Sequence, residues 1–356
     1  MDSSKKTAIS VIMLAGIIAL IGAGVWFQHG ADKLLMETSP RPMIMSTFQF
    51  NLTAVVPVGA GERLEEIFDD AEAAARVVEK QMNIYNPASE LARLNDAPAG
   101  QTVYLSGETV DVLTRSSVFW DQTRGAFDVT ILPILRVWKE AEKQDRLPTP
   151  TELAAARNAS RWAYLDLLDA GAIKSVASAG VDVGGIAKGF AIDQAAASMI
   201  RSGCRGGIVD IGGDVRCFGR KPSGKPWHVY VTNPFDPERT EEHPLAVLAV
   251  REAAVCTSGN YRRFRVIQGR HYSHIIDPRT SMPADAYPSV TVVAPDATTA
   301  DAWATALSVL GPDGLKLLPD HVEALIVIGG PEKHTYLTTP GMNALIVTQP
   351  EAATPR

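Results

Sequence analysis

The chain has 356 residues, of which 46% are hydrophobic and 21% are charged, and its formal net charge is −6. This composition is typical of a globular protein with one large or two smaller domains and a sizeable core. The mild negative charge, together with the lack of any long run of Lys and Arg, argues against nucleic-acid binding.

The first 28 residues predict a segment that enters a membrane. Lys5 and Lys6 precede an uncharged run over 7–28, and a run of this length can span a hydrocarbon core. Flanking lysines favour an N-terminus that stays in the cytoplasm, so we expect a signal anchor that exports the rest of the chain. A cleaved signal peptide has a similar layout and remains the alternative.

A polar linker over 29–43 precedes the main domain, which we expect to cover 44–345 and to end in a tail over 346–356. The domain begins with strand-like alternation over 48–57, and helical periodicity follows over 62–86. A second helix is predicted over 106–123, with Ser106 or Gly107 as its N-cap. Residues 141–162 are predicted to form an exposed helical excursion.

Short strands dominate the sequence from residue 171 onward. Their predicted ranges are 172–176, 207–218, 227–233, 245–251, 263–268, 289–294 and 324–328, and the predicted helices between them are 186–202, 298–310 and 312–319. This alternation predicts an α+β fold with mixed, mostly antiparallel sheets and packed helices.

The three cysteines, Cys204, Cys217 and Cys256, form no C-x-x-C pair and show no metal-ligand spacing. An exported location would permit one disulfide, but we expect three small, buried, hydrophobic side chains. The cysteines therefore predict neither a metal centre nor a redox motif.

The helix predicted over 298–310 carries two oxygen-bearing side chains on one face. Asp301 and Thr305 are four residues apart, so they differ by only about 40° around the helix axis. Ala300 and Ala304 beside them leave space for a ligand. Taken alone, the pair is also typical of a solvated first turn of a helix. Its function therefore depends on which other residues pack near this face of the helix.

The stretch VDVGGIAKGFAIDQAA, residues 181–196, predicts a strand, a glycine turn and a helix. Free N–H groups at a helix start, with Lys188 beside them, form a natural anion cradle. The stretch does not match G-x-x-x-x-G-K-[ST], so it is not a P-loop. A purely structural turn, with Asp182 and Lys188 as an ion pair, is the alternative.

Three further stretches are richer in polar residues or glycine than their predicted structure requires. Gly212 and Gly213 interrupt the strand over 207–218, which is typical of a bulge or of close approach by a ligand. Asp128 lies in an apolar stretch, and a partly buried carboxylate needs a partner. His274 in HYSHIIDPRTSMP is either a structural histidine or a proton shuttle.

In this order and spacing, the stretches resemble the ApbE family of FAD:protein FMN transferases. The family pattern includes S-x-Y-x-P-x-S-E-[IL]-x-x-L-N, G-A-F-D-[VP]-T, D-[LV]-[GS]-x-I-A-K-G-[YF]-A-x-D, G-G-[DE], A-x-x-T-S-G-D-Y, S-H-x-I-[DN]-P-x-[TS] and A-D-A-x-[AS]-T-A. The matching ranges are Tyr85–Asn95, Gly125–Thr130, Asp182–Asp193, Gly212–Asp214, Ala254–Tyr261, Ser273–Thr280 and Ala300–Ala306. The resemblance covers about residues 45–330 and rests on seven blocks in the same order.

The resemblance implies an enzyme that cleaves the pyrophosphate of FAD, attaches FMN through a phosphoester to a Thr or Ser of a target protein, and releases AMP. It also implies a requirement for Mg²⁺, whose ligands would be Asp301, Thr305 and the backbone carbonyl of Ala187. Mg²⁺ takes oxygen ligands and commonly only one or two carboxylates, which agrees with this set. We expect Asp301 or Asp182 to take the hydroxyl proton, with His274 as the second candidate.

Residues that match the family's flavin and adenosine contacts are Met45, Tyr85, Ala126, Phe127, Asp128, Asp182, Lys188 and Ile276. Lys188 and the helix start beside it are expected to face the diphosphate, whereas Tyr85 and Phe127 offer apolar or stacking surface to a ring. Target proteins in the family are subunits of Rnf-type or sodium-pumping redox complexes, and related members serve a NosR-type regulator. The resemblance thus implies FAD and such a protein as partners, at the periplasmic face of the bacterial inner membrane.

The departures from the family pattern include Ser46 and Asn260. Asn260 replaces the usual Asp of T-S-G-D-Y, which predicts a structural effect more than lost chemistry, and Ser46 follows Met45 where Gly is commoner. Relatives that hydrolyse FAD tend to differ at Tyr85, so its tyrosine favours transfer. The alternatives are a periplasmic FAD pyrophosphatase and a non-catalytic flavin-binding assembly factor of a membrane redox complex.

Overall fold

The computed structural model describes residues 33–45, 48–240, 242–261 and 263–348. The predicted signal anchor or signal peptide over 1–28 lies outside these ranges. Across the part of the chain that the structure describes, no helix combines the length and the apolar character needed to span a bilayer.

Eight α-helices occur in the described ranges. They are α1 (Leu64–Met82), α2 (Glu90–Asp96), α3 (Gly107–Gln122), α4 (Leu132–Lys143), α5 (Pro150–Ala159), α6 (Ala187–Arg201), α7 (Ala297–Leu310) and α8 (Pro340–Leu345). Of the two N-caps predicted for α3, the structure uses Ser106, whose side chain accepts from the Thr109 N–H. A 3-10 helix over Gly311–Leu317 takes the place of the α-helix predicted over 312–319.

Eighteen β-strands occur in the same ranges. They are β1 (Leu34–Ile44), β2 (Phe48–Pro57), β3 (Thr102–Tyr104), β4 (Leu165–Leu168), β5 (Gly171–Lys174), β6 (Gly206–Ile211), β7 (Asp214–Gly219), β8 (Trp227–Val231), β9 (Ala246–Val250), β10 (Ala253–Gly259), β11 (Phe264–Ile267), β12 (Arg270–Ser273), β13 (Ile276–Asp277), β14 (Met282–Pro283), β15 (Ser289–Ala294), β16 (Glu323–Gly329), β17 (His334–Thr338) and β18 (Ile346–Thr348).

Eight of the strands form a central antiparallel sheet in the order β1-β2-β6-β7-β10-β15-β16-β17. Two three-stranded sheets have the orders β18-β9-β8 and β3-β5-β4, and β11-β12 and β13-β14 form two-stranded sheets. Helices and antiparallel sheets therefore confirm the predicted α+β fold.

The central sheet separates two hydrophobic cores, because successive side chains of a strand point to opposite faces. In β10, Ala254 and Cys256 face the helices α1, α6 and α7, whereas Val255 faces the small sheet β18-β9-β8. Trp227 and Leu248 supply the core on that second face. All three cysteines are buried free thiols, which confirms that they act as small hydrophobic side chains.

Both ends of the described domain differ from the prediction. Leu34–Ile44, predicted mostly as linker, forms strand β1, which pairs only with β2 and therefore tolerates Pro40 at the sheet edge. Arg41 fastens this strand to α1, with its Nε 2.9 Å from Glu72 Oε2. Ile346–Thr348, predicted as tail, pairs with β9 as strand β18. Neither β1, whose apolar residues do not alternate, nor the three-residue β18 has the hydrophobic alternation that a sequence prediction needs.

Gly212 and Gly213 form a hairpin turn, where the sequence predicted one interrupted strand. Both have a positive φ, 64° and 89°, which is typical of a two-residue type I′ turn. The pair Ile211 and Asp214 closes the hairpin between β6 and β7. The turn matters for the site because it places Asp214 at the start of β7.

Candidate active site

One cavity of about 620 Å³ lies where the central sheet meets α6, α7 and the β11-β12 hairpin. It is lined by all twelve residues that the sequence singled out for catalysis, substrate binding or metal binding: Met45, Tyr85, Ala126, Phe127, Asp128, Asp182, Ala187, Lys188, His274, Ile276, Asp301 and Thr305. These residues come from segments that are far apart in the chain. The fold, and not local sequence, brings them together.

Helices α6 and α7 meet at a close contact that sets the position of Asp301. A Cβ at Gly189 would overlap the Ala297 carbonyl oxygen and lie 2.9 Å from Asp301 Cβ, so only glycine permits this approach. Asp301 Oδ2 accepts a hydrogen bond from the Gly189 N–H at 2.9 Å. Burial raises the pKa of the Asp301 carboxyl, against the opposing effect of the nearby Lys188 ammonium. The carboxylate thus lies buried at the positive end of α6.

Thr305 lies one turn after Asp301 and faces the glycine turn before α6. Its Oγ1 is 3.5 Å from the Gly185 carbonyl oxygen, and a Cβ at Gly185 would lie only 3.0 Å from Oγ1. Within the described residues, no group of three or more His, Cys, Asp and Glu could hold a metal ion. A cation here would rely on one carboxylate, a hydroxyl, carbonyl oxygens and substrate or water, which is a donor set that Mg²⁺ accepts.

The Lys188 ammonium pairs with the buried Asp214 carboxylate, whose Oδ1 accepts the Thr257 N–H at 2.8 Å. This finding corrects the ion pair between Asp182 and Lys188 that the sequence allowed. Asp182 Oδ1 instead accepts the Gly184 N–H at 2.7 Å. The hairpin turn between β6 and β7 explains the difference, because it brings Asp214 beside Lys188.

His274 lies on the cavity wall between β12 and β13. Its Nδ1 is 2.9 Å from the Arg263 carbonyl oxygen, and since a carbonyl only accepts, Nδ1 carries the proton. Burial, together with the cations of Arg263, Arg265 and Lys188, lowers the pKa of His274 to about 4. The imidazole is therefore neutral at pH 7, and the lone pair on its Nε2 can accept a proton.

Two cationic side chains at β11, Arg263 and Arg265, also line the cavity and were not predicted. Burial lowers the pKa of Arg265, and the nearby Glu142 carboxylate opposes this effect, with Oε2 3.7 Å from Nη1. Hydrophobic alternation would place Phe264 and Val266 inside, but both are exposed and Arg265 is partly buried. The reversed pattern explains why the sequence did not reveal these residues.

The segment around Asp128 forms another wall. Asp128 Oδ1 accepts from the backbone N–H and the hydroxyl of Thr130, both at 2.7 Å, which supplies the partner that its burial requires. Burial raises the pKa of Asp128 to about 6, although these hydrogen bonds favour its charged form. Phe127 is buried and packs edge-on against Phe119, with ring centroids 5.9 Å apart.

Tyr85 is an exposed aromatic residue of the cavity lining. Tyr85 is 73% exposed, and Lys139 Nζ lies 4.5 Å from the centre of its ring. Deeper in the cavity, Ile276 is buried and Met45 partly buried, and both add apolar surface. The cavity therefore combines a charged region with ring-sized apolar walls.

Asn260 has a structural role that its usual family counterpart could not fill. Its side-chain amide donates to the carbonyl oxygens of Ala284 at 3.3 Å and Tyr287 at 3.4 Å, while its Oδ1 accepts from the Ser273 hydroxyl at 2.5 Å. A carboxylate has no proton to give to either carbonyl. The asparagine therefore ties the end of β10 to the segment that precedes β15.

A family model described as "ApbE family" matches residues 46–326. This chain belongs to the ApbE family. The FAD:protein FMN transferase of Haemophilus influenzae is 34% identical over 264 residues, which cover 70% of this chain and 74% of that protein. The FAD:protein FMN transferase of Escherichia coli K12 is 29% identical over 313 residues, which cover 86% of this chain and 88% of that protein.

Solved ApbE structures have the same fold. The apo form of Pseudomonas stutzeri flavinyl transferase ApbE superposes with a TM-score of 0.77 at 28% identity, and covers 88% of this chain and 98% of its own. The flavin transferase ApbE from Vibrio cholerae superposes with a TM-score of 0.77 at 25% identity, and covers 88% and 99%. The predicted membership in the ApbE family is confirmed.

Proposed function

We propose that the chain is a flavin transferase that cleaves FAD at its pyrophosphate, joins FMN through a phosphoester to a Thr or Ser hydroxyl of a target protein, and releases AMP. Membership in the ApbE family, with curated relatives named FAD:protein FMN transferases, supports this function. The observation that carries the proposal is that Asp301, Thr305 and Lys188 share one cavity with Tyr85 and Phe127. Such a cavity suits a ligand that has both a diphosphate and flat rings.

Mg²⁺ fits the oxygen donors beside the glycine turn, and we propose that Asp301, Thr305 and the Ala187 carbonyl hold it. When bound, it would offset the negative charge on the phosphate oxygens and on the leaving AMP. Asp301 Oδ2 accepts from the Gly189 N–H, whereas Oδ1 has no hydrogen bond within the described residues. The feature of this structure that supports a cation here is a carboxylate in the cavity lining that uses only one oxygen for a hydrogen bond, with the Thr305 hydroxyl one turn away.

Lys188 would bind the diphosphate, and Asp214 would orient its ammonium. Asp214 is buried and its Oδ1 is fixed by the Thr257 N–H, so the carboxylate that pairs with Lys188 has little freedom to move. The N–H groups at the start of α6 add positive potential at the same place. The residues of this chain thus hold the anion on one side while the target hydroxyl approaches.

Under this proposal, His274 accepts the proton of the target hydroxyl. It is neutral at pH 7, with its lone pair on Nε2, because Nδ1 donates to the Arg263 carbonyl. Asp301 is less suited, since a cation would engage its carboxylate, and Asp182, whose pKa burial raises, is the alternative base. A bound diphosphate would counter the cations that lower the pKa of His274, and would make the imidazole a stronger base.

We also propose that the enzyme acts at the periplasmic face of the bacterial inner membrane. The charged and apolar layout of residues 1–28 supports an anchor or an export signal. The target would be a subunit of a membrane redox complex, such as an Rnf-type or sodium-pumping complex, or a NosR-type regulator. The exposed rim at Tyr85 gives a protein hydroxyl a route to the cavity.

The proposed function can be tested in a strain that lacks this gene and carries the wild type, Asp301→Ala or Asp320→Ala. Asp320 is exposed and lies outside the cavity lining, so it is the control. Proteins with covalent flavin fluoresce in a denaturing gel. We expect fluorescent bands with the wild type and the control but none with Asp301→Ala. Bands of equal intensity with Asp301→Ala would contradict the proposal.

A second assay separates transfer from the alternatives. The purified full-length chain is incubated with FAD and Mg²⁺ but without a target, and AMP is measured. A transferase releases little AMP under these conditions, whereas rapid release over many turnovers indicates a pyrophosphatase. A non-catalytic flavin-binding protein releases none, and retains its cellular role when Asp301 is replaced.

A further inference from the structure

Asp193 ends the block Asp182–Asp193 but does not line the cavity. Its carboxylate accepts four hydrogen bonds. Oδ1 accepts from Arg216 Nη1 at 2.6 Å and from the Ala297 N–H at 2.9 Å. Oδ2 accepts from the Thr298 N–H at 2.9 Å and from the Thr298 hydroxyl at 2.6 Å. This is more hydrogen bonding than a single helix cap requires.

The four hydrogen bonds join three elements of the cavity. Asp193 lies on α6, Arg216 lies on β7, and the other donors begin α7. Each of these elements also carries a group to the cavity or its edge: Lys188 on α6, its partner Asp214 on β7, and Asp301 on α7. Asp193 is therefore a single carboxylate that holds all three supporting elements.

Helices α6 and α7 cap each other through this carboxylate and Asp301. Asp193 accepts from the first N–H groups of α7, and Asp301 accepts from the Gly189 N–H near the start of α6. Each contact also gains from the positive end of the helix that it caps. Since the two contacts are four residues apart on each helix, they fix both the separation and the rotation of the pair.

We propose that Asp193 is a positioning residue that sets the affinity of the cavity for a divalent cation. By clamping α7 to α6, it fixes the distance from Asp301 and Thr305 to the backbone at Ala187. Removal of a group that orients a metal ligand commonly weakens metal affinity by about 10- to 100-fold. The identity of the cation rests on the proposed function, but the clamp can be measured without any ligand.

Asp296 provides a matched control at the same helix end. It also caps α7, since Oδ1 accepts the Thr299 N–H and Oδ2 accepts the Thr299 hydroxyl, both at 2.9 Å. It makes no hydrogen bond to α6 or β7 within the described residues. Asp193→Asn and Asp296→Asn therefore each alter a cap of α7, whereas only Asp193→Asn also weakens the connection of α7 to α6 and β7.

The first measurement is calorimetric titration of the full-length chain in detergent with Mg²⁺, without FAD. We expect Asp193→Asn to raise the Kd for Mg²⁺ about tenfold or more, and Asp296→Asn to change it less than about twofold. An unchanged Kd in Asp193→Asn, or an equal rise in both variants, overturns the proposal.

The second measurement is amide hydrogen exchange on the ligand-free chain. We expect the Gly189 N–H to exchange about tenfold faster in Asp193→Asn and at the wild-type rate in Asp296→Asn. Equal rates in the wild type and in Asp193→Asn overturn the proposal. If the wild type does not bind Mg²⁺, the metal part of the proposed function fails, and the exchange rates still decide the role of Asp193.

A third variant applies if Asp193→Asn does not fold. Thr298→Val keeps the side-chain shape and removes only the hydroxyl that bonds to Asp193 at 2.6 Å. We expect it to raise both the Mg²⁺ Kd and the Gly189 exchange rate about twofold to threefold. No change in either quantity overturns the proposal.

Discussion

Asn95 and Val181 bond to each other twice, with the Asn95 amide donating to the Val181 carbonyl at 2.9 Å and the Asn95 oxygen accepting the Val181 N–H at 2.7 Å. The buried Lys174 ammonium donates to the Asn95 carbonyl at 2.6 Å and to the Ala179 carbonyl at 2.9 Å. Side chains thus satisfy backbone groups that have no neighbouring strand. They also fix the point at which the next residue, Asp182, enters the cavity.

Replacement of Asn95 should therefore destabilise the protein strongly. In Asn95→Ala, the buried N–H and carbonyl of Val181 lose their partners, and we expect the free energy of unfolding in urea to fall by about 2–4 kcal/mol. Asn158→Ala, at an exposed position of α5, should change it by less than about 0.5 kcal/mol. A loss below about 1 kcal/mol in Asn95→Ala would show that the loop is held by other contacts.

The ion pair between Lys188 and Asp214 allows the effect on stability to be separated from the effect on activity by comparing a single and a double variant. Lys188→Met leaves the buried Asp214 unpaired, so we expect it to lower the free energy of unfolding by about 3–5 kcal/mol and to abolish flavin transfer. The double variant Lys188→Met/Asp214→Leu should recover most of the stability but none of the activity. Transfer by the double variant at near the wild-type rate would remove Lys188 from the mechanism.

His274 predicts a loss of stability in mild acid. Its pKa is about 4 in the folded protein and about 6.5 in the unfolded chain, so only the unfolded chain gains this proton between these values. We expect His274 to contribute about 2 kcal/mol to the fall in the free energy of unfolding between pH 7 and pH 4.5. His274→Gln should show a smaller fall by that amount, and His271→Gln, at an exposed position of β12, is the control. Parallel curves for all three proteins would contradict the pKa shift.

Asp128 predicts the opposite dependence on pH. Burial raises its pKa to about 6 in the folded protein, so its protonation stabilises the fold as the pH falls from about 6 to about 4. Asp128→Asn should be more stable than the wild type by about 2 kcal/mol at pH 7, and the difference should vanish below pH 4. Urea unfolding at both pH values measures this. A variant that is less stable at pH 7 would show that the charged carboxylate has a stronger partner than Thr130.

The contact between α6 and α7 predicts that even one methyl group at Gly189 is too large. Gly189→Ala forces the helices apart, and we expect a loss of about 3 kcal/mol in unfolding free energy together with loss of flavin transfer. Gly107→Ala is the control, because a Cβ at this first residue of α3 meets nothing within 4 Å. Normal transfer by Gly189→Ala would mean that the spacing of α6 and α7 does not set the geometry of the cavity.

The site was predictable where chemistry lies in short local patterns and unpredictable where it depends on how strands turn. Asp301 and Thr305 are paired by helix geometry alone, and both line the cavity. The sequence shows Asp214 only as part of a glycine-rich stretch, because its ion pair with Lys188 exists only after the chain reverses at the hairpin. Arg265 was missed because its strand places a charge inside and a phenylalanine outside.

For the fold too, elements with a local pattern are predictable from the sequence, and elements that depend on tertiary contacts are not. Long helices such as α1 and α6 were found within a few residues of their ends, because their hydrophobic periodicity extends over several turns. The sequence of strand β1 predicts a linker, since its apolar residues do not alternate and its place in the sheet depends on β2. Edge strands of this kind are set by tertiary contacts and not by their own composition.

The mutual capping of α6 and α7 has a consequence for the nascent chain. A ribosome releases the N-terminal end first, so α6 leaves it well before α7. Until residues 297–310 have emerged and packed, Asp193 and Gly189 lack their partners, and closing so long a loop is slow. The cavity is therefore completed only at the end of synthesis, and a truncated chain that stops before α7 has no means to cleave FAD.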